Sequence, residues 1–135
     1  KILAPQGAAP IPVLYTVLVV EDEDLVRTST AHMLERAGYR VLTAADGLEA
    51  LEVFRQDPGG MDLVLLDLSM PRLSGGAVLE EMRRVRPEIK VVICTGYGPR
   101  YQKVGPAAGV LTKPFRREQL LLQVEQVLIE PQKRN

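Results

Sequence analysis

An α/β fold, a doubly wound five-stranded parallel sheet with helices on both faces, is predicted by three features of this 135-residue chain. Five short apolar runs recur along it, stretches of helical period separate them, and two of the runs, Val17–Val20 and Leu63–Leu66, are apolar at every position. A strand apolar on both faces belongs in a parallel sheet, because β–α–β crossovers place helices over each face. The five runs are Thr16–Val20, Arg40–Ala44, Leu63–Leu66, Val91–Cys94 and Gly109–Thr112, each bounded by Gly, Pro or acidic residues.

The helices follow from the 3.6-residue period. Val26, Met33, Leu34 and Ala37 fall on one helical face, as do Leu48, Leu51 and Phe54, and then Val78, Met82 and Val85. Leu120, Leu121, Val124, Val127 and Leu128 form the clearest stripe. Asp46 and Ser74 are placed to cap the second and third helices, and Pro87 and Pro131 to stop the third and last. Between Gly96 and Pro106 breakers crowd the chain, so the fourth helix is predicted to be short or irregular. Residues 1–14, with Pro5, Pro10 and Pro12 among Ala and Gly, read as a linker or an appended lead-in. The domain is placed at 15–130, with 131–135 as a tail.

Composition narrows the function. Lys and Arg number 17 and so do Asp and Glu, a balance that argues against gripping a phosphate backbone, so no direct nucleic-acid contact is expected. Cys94 is the only cysteine, which excludes an internal disulfide and a cysteine zinc cluster. No apolar run approaches the roughly eighteen residues of a membrane span, and no signal-peptide layout is present, so a cytoplasmic domain without membrane contact is expected. The chain opens on Lys1, as expected of a piece of a longer polypeptide.

The chemistry lies where the strands end. The first runs into Glu21-Asp22, the third into Asp67, the fourth into Thr95 and the fifth into Lys113-Pro114. Open parallel sheets bind ligands at the carboxyl ends of their strands, where strand order reverses. With the order 2-1-3-4-5, Glu21, Asp22 and Asp67 converge. Three carboxylates about 5 Å apart repel by about 3 kcal/mol per pair at an effective dielectric near 20. Either a carboxyl takes up a proton or a divalent cation binds, and oxygen-only ligands favour Mg²⁺ or Mn²⁺. Lys113 adds a point charge for a phosphate oxygen and Thr95 a hydroxyl donor, which together suit phosphoryl transfer to an Asp nucleophile.

These segments, VLVVEDE (17–23), DLVLLDLSMP (62–71), VVICTG (91–96) and GVLTKPF (109–115), occur in an order and spacing that resemble a response-regulator receiver domain over about Thr16 to Leu128. The resemblance implies a flavodoxin-like sheet with Asp67 as phosphoacceptor. It implies that Asp22, Asp67 and the Ser69 carbonyl ligate Mg²⁺ directly, and that Glu21 acts through a metal-bound water. It further implies phosphate contacts by Lys113 and Thr95 and a cis Lys113–Pro114 bond. A histidine kinase domain or a histidine phosphotransfer protein would be the partner, with the domain a monomer or weak dimer. Phosphorylation and dephosphorylation would be self-catalysed, and any kinase activity would belong to the parent chain.

One position departs from the pattern: Val110 stands where receivers usually carry Tyr or Phe, so the switch position is non-aromatic. The Thr-Gly-Tyr-Gly run at 95–98, that small residue and the Pro/Ala-rich lead-in resemble the receiver appended to a hybrid sensor histidine kinase. A stand-alone single-domain response regulator is the alternative. A metal-dependent phosphohydrolase is a further one, disfavoured because Ser69 stands where haloacid-dehalogenase-type phosphatases carry a second Asp. A degenerate receiver kept only for interaction is disfavoured by the intact acidic pair, acceptor, hydroxyl and lysine.

Plainer readings suit the remaining residues. Glu23 and Asp24 read as helix N-cap and dipole partners, and Asp62 as a solvated turn residue opening its strand. His32 reads as a surface residue and Cys94 as a small buried one. Arg83, Arg84 and Arg86 read as the exposed side of the third helix.

Overall fold

In the computed structural model, which describes residues 14–68, 70, 74–96 and 109–129, five parallel strands form one sheet in the order β2-β1-β3-β4-β5. The elements run β1 (Thr16–Val20), α1 (Asp24–Arg36), β2 (Arg40–Ala44), α2 (Gly47–Gln56), a 3₁₀ turn (Pro58–Gly60), β3 (Leu63–Asp67), α3 (Gly75–Val85), β4 (Val91–Thr95), β5 (Gly109–Thr112) and α4 (Arg117–Ile129). The expected fold class and strand order are those observed. Each strand lies within a residue of its sequence-based range, and β3 and β4 run one residue further, into Asp67 and Thr95. The expectations for residues 1–13, Ser69, the short fourth helix at 97–106, Tyr97 and Pro131 lie outside the described residues.

Strand alternation sorts the core into two layers. Leu18, Val20, Val64, Leu66 and Ile93 pack with Leu51, Phe54, Val78 and Met82 beneath α2 and α3. Val17, Val19, Leu63, Leu65 and Val92 pack with Leu34, Leu120 and Val124 beneath α1 and α4. β1, β3 and β4 are buried along their whole length, as continuous apolar strands in a doubly covered sheet should be. Edge strand β2 is only part buried.

Helix ends follow their chemistry. The Asp46 carboxylate accepts the Glu49 N–H at 2.9 Å and the Ser74 hydroxyl accepts the Ala77 N–H at 3.3 Å, so both expected caps are made. Glu23 occupies the N-cap position of α1 without a side-chain cap bond. α1 ends on Gly38 at φ +101°, where the Gly38 N–H reaches the Glu35 carbonyl and the Tyr39 N–H the Leu34 carbonyl. This Schellman arrangement needs a residue at ease in the left-handed region. The Lys90 ammonium donates to the Val127 and Leu128 carbonyls at 2.9 and 3.4 Å, holding the last turn of α4 to the start of β4.

Several sequence expectations are corrected. Leu48 is 53% exposed, because the buried stripe of α2 is Gly47, Ala50, Leu51 and Phe54, which leaves Leu48 to one side. Val85 is exposed while Leu79 is buried, since the α3 stripe runs through Gly75, Val78, Leu79 and Met82 and leaves the last turn outside it. Ala37, past the last turn of α1, is also exposed. Asp62 is no free turn residue, for its carboxylate accepts the Thr16 N–H at 2.8 Å and joins the starts of β1 and β3. Arg86 does not merely face solvent: one amino group donates to the Pro58 carbonyl at 2.9 Å and to that of Met61, clasping the turn before β3.

Gly75 opens α3 against the end of β3. A Cβ there would lie 2.5 Å from the Asp67 carbonyl oxygen and 2.9 Å from the Leu68 Cα, both backbone atoms that cannot swing away. Gly75→Ala is therefore expected to destabilise the domain by about 1–3 kcal/mol in urea unfolding, the usual cost of overpacking. Unchanged stability would show that α3 can shift at no cost.

Candidate functional site

Two adjacent strands bring the acids together. β1 pairs with β3 in parallel, Val20 opposite Leu66, so the residues that follow, Glu21 and Asp67, leave the sheet side by side. By two-residue alternation Glu21 continues the row of Val17 and Val19, Asp67 that of Leu63 and Leu65, and Lys113 that of Leu111, all on the α1/α4 side. Glu21 and Asp67 are 4% and 3% exposed, and Asp22 is exposed at the rim. Carboxylate oxygens of Glu21, Asp22 and Asp67 all lie within 4.8 Å of one another.

Lys113 crosses this cluster. Its ammonium lies 2.7 Å from Glu21 Oε1 and 3.3 Å from Asp67 Oδ2, bridging the ends of β1 and β3 from the end of β5. Burial works against its charge, but the hydrogen bond to Glu21 and the fields of Asp67 and Glu21 outweigh it, and the Lys113 pKa is raised. The Lys113 N–H donates to the Thr95 carbonyl at 2.8 Å, which ties the lysine's backbone to the end of β4. Thr95 itself is buried, and the Lys113–Pro114 peptide is cis. Val110 is half-buried against the α2/α3 core layer.

The turn from β1 to α1 is held by contacts that the sequence did not reveal. The Glu21 N–H donates to the Ala44 carbonyl at 3.1 Å, and the Glu23 N–H donates to Glu21 Oε2 at 3.1 Å. Arg27 donates one amino group to the Glu21 carbonyl at 2.9 Å and the other to Asp24 Oδ1 at 2.5 Å. The Asp24–Arg27 spacing signals the ion pair, but nothing in the sequence signals the carbonyl contact. His32 is exposed on α1, as expected.

Beside the acids a cleft of about 480 Å³ opens between α1 and the segment after β5, lined by Leu25, Val26, Met33, Lys113, Pro114 and Phe115 among others. Lys113 thus touches both the acidic cluster and the cleft. Leu25 is 78% exposed at its edge.

With this geometry in place, comparison with known proteins settles the family. Residues 17–125 match the response regulator receiver domain, and the chain belongs to that family. It is 39% identical over 117 residues to the sensor kinase CckA of Brucella abortus, covering 84% of this chain and 12% of that protein. It is 32% identical over 129 residues to the chemotaxis protein CheY of Treponema pallidum, covering 92% of this chain and 90% of that one. Among solved structures it is similar to the receiver domain of the hybrid histidine kinase CckA, with 35% identity, a TM-score of 0.74, and coverage of 84% of this chain and 98% of that one. The chain thus spans only a small part of the matched kinase. No helix among the described residues is long and apolar enough to cross a membrane.

Cys94 lies in β4 beneath the site and is buried. Burial chiefly, with Asp67 and Glu21 adding to it and Lys113 opposing, pushes its thiol up to about 12. The thiolate is the reactive form, and at pH 8 only about one molecule in ten thousand would carry it. The native protein is therefore expected to resist iodoacetamide at pH 8 and to react within minutes once unfolded in urea. Rapid labelling of the native protein would mean that β4 opens readily.

Proposed function

We propose that this domain accepts a phosphoryl group on Asp67 from a phosphohistidine of a partner protein, with Mg²⁺ or Mn²⁺ bound at Glu21, Asp22 and Asp67. The observation that carries the reading is the buried Asp67 carboxylate, placed between two further acids and the Lys113 ammonium at the carboxyl edge of the sheet. An all-oxygen donor set of two buried acids and one exposed acid fits a hard divalent cation that keeps water ligands. Asp22, Asp67 and the Ser69 carbonyl would hold it, Glu21 would act through its water, and the ion would supply positive charge against the phosphoryl oxygens.

In the transfer, an Asp67 carboxylate oxygen attacks phosphorus, the phosphorus–nitrogen bond breaks, and its electron pair returns to the imidazole, which takes up a proton. The Lys113 ammonium, already 3.3 Å from Asp67, is placed to pair with a phosphoryl oxygen, and the Thr95 hydroxyl to donate to another. Most of the rate then comes from positioning and preset charge. The donor's imidazole must approach beside Lys113, and the apolar rim of Leu25, Val26, Pro114 and Phe115 offers the surface it would meet. Val110 provides no ring to swing outward, so the response to phosphorylation is expected to stay near the loop after Thr95 rather than spread through α4.

Similarity to a sensor kinase, 39% identical over 84% of the chain, supports a place in a hybrid histidine kinase acting with a kinase domain or a phosphotransfer protein. Similarity to a chemotaxis protein, 32% identical and matched over 90% of its length, supports the second reading, a stand-alone response regulator.

Asp67→Asn keeps the side chain's shape but cannot form an acyl phosphate. The variant is expected to stay folded by circular dichroism and to take up no base-labile phosphate from acetyl phosphate and Mg²⁺. Undiminished labelling would move the acceptor elsewhere.

A further inference from the structure

We propose that Arg27 is a positioning residue for the cation site, fixing the Glu21–Asp22 peptide so that the exposed Asp22 carboxylate faces the two buried ones. The inference rests on the reading that these acids bind Mg²⁺.

Asp22 is the one member of the triad held by no side-chain hydrogen bond or ion pair among the described residues, while Glu21 is fixed by Lys113 and by the Glu23 N–H. Its side chain is short, so where its carboxylate lies follows closely from the plane of the preceding peptide. The carbonyl of that peptide belongs to Glu21, one residue past the end of β1, and it receives the Arg27 amino group at 2.9 Å. The same guanidinium, 19% exposed, is anchored on Asp24 at 2.5 Å, and the Arg27 N–H reaches the Glu23 carbonyl at 2.8 Å. Arg27 therefore closes the 21–24 turn from both its side chain and its backbone. A planar fork suits the task, since its two amino groups leave the carbon in fixed directions.

Charge and position have opposite signs here. An arginine beside a cation site repels the cation, so losing the charge alone would tighten Mg²⁺ binding. Losing a group that orients a ligand loosens it, typically by about 10–100-fold.

Arg27→Met separates the two effects, because it keeps an unbranched stem and removes both the charge and the donor to the Glu21 carbonyl. Mg²⁺ is titrated into the full 135-residue chain and followed by amide shifts at residues 21–23 and 67–68. The Met variant is expected to bind Mg²⁺ about 10-fold or more weakly than the unaltered chain, with both unfolding at similar temperatures. Without metal, the Glu23 amide, which donates to Glu21 Oε2, is expected to exchange faster in the Met variant than in the unaltered chain. Equal or tighter Mg²⁺ binding by the Met variant would overturn the proposal. If the unaltered chain itself fails to bind Mg²⁺ at millimolar levels, the functional reading falls, and the metal-free exchange at Glu23 still decides whether Arg27 holds the turn.

Discussion

The Lys113 ammonium set between Glu21 and Asp67 is the contact on which the site depends. Two buried carboxylates beside a third at the rim repel one another by about 3 kcal/mol per pair at an effective dielectric near 20. A single cation at 2.7 and 3.3 Å offsets much of that, and it does so from a third strand. The ion pairs thus join the ends of β1, β3 and β5, while the Lys113 N–H on the Thr95 carbonyl adds the end of β4. The same lysine rims the apolar cleft beside α1. Whatever adds charge to Asp67 must be felt at Lys113, and through it at the ends of β4 and β5.

Parallel pairing is what makes this convergence possible. All five strands end at one edge, and placing β1 and β3 side by side puts their terminal acids in register. The close approach of α3 at Gly75 to the Asp67 and Leu68 backbone leaves little room at that point, and among the described residues a cleft opens on the other face, beside Lys113 between α1 and the segment after β5.

The strands and the acidic cluster were legible because their signals are local. An apolar run that stops at a charge can be read directly, and a parallel sheet then fixes which ends meet. The helix faces were less legible: Leu48 and Val85 fit a periodic stripe but lie outside it, because small residues such as Gly47, Ala50 and Gly75 define the contact face and carry no hydrophobic signal. Least legible were side chains that bond distant backbone. Arg86 on Pro58 and Met61, Asp62 on Thr16 and Arg27 on Glu21 depend on where carbonyls and amides point in turns, which spacing does not encode. Their charge made Arg86 and Asp62 read as solvated surface, and only the packed chain gives these side chains their partners.

Under the proposed function Asp67, and no other carboxylate, receives the phosphoryl group. Borohydride reduces an acyl phosphate to the alcohol, so an aspartyl phosphate becomes homoserine at its position in the chain. Treating the Mg²⁺ and acetyl phosphate reaction with borohydride and mapping the peptides by mass spectrometry reads the acceptor directly. Homoserine at position 67 alone is the expected result. Homoserine at position 22, 24 or 62, or a borohydride-resistant phosphate on His32, would contradict the account.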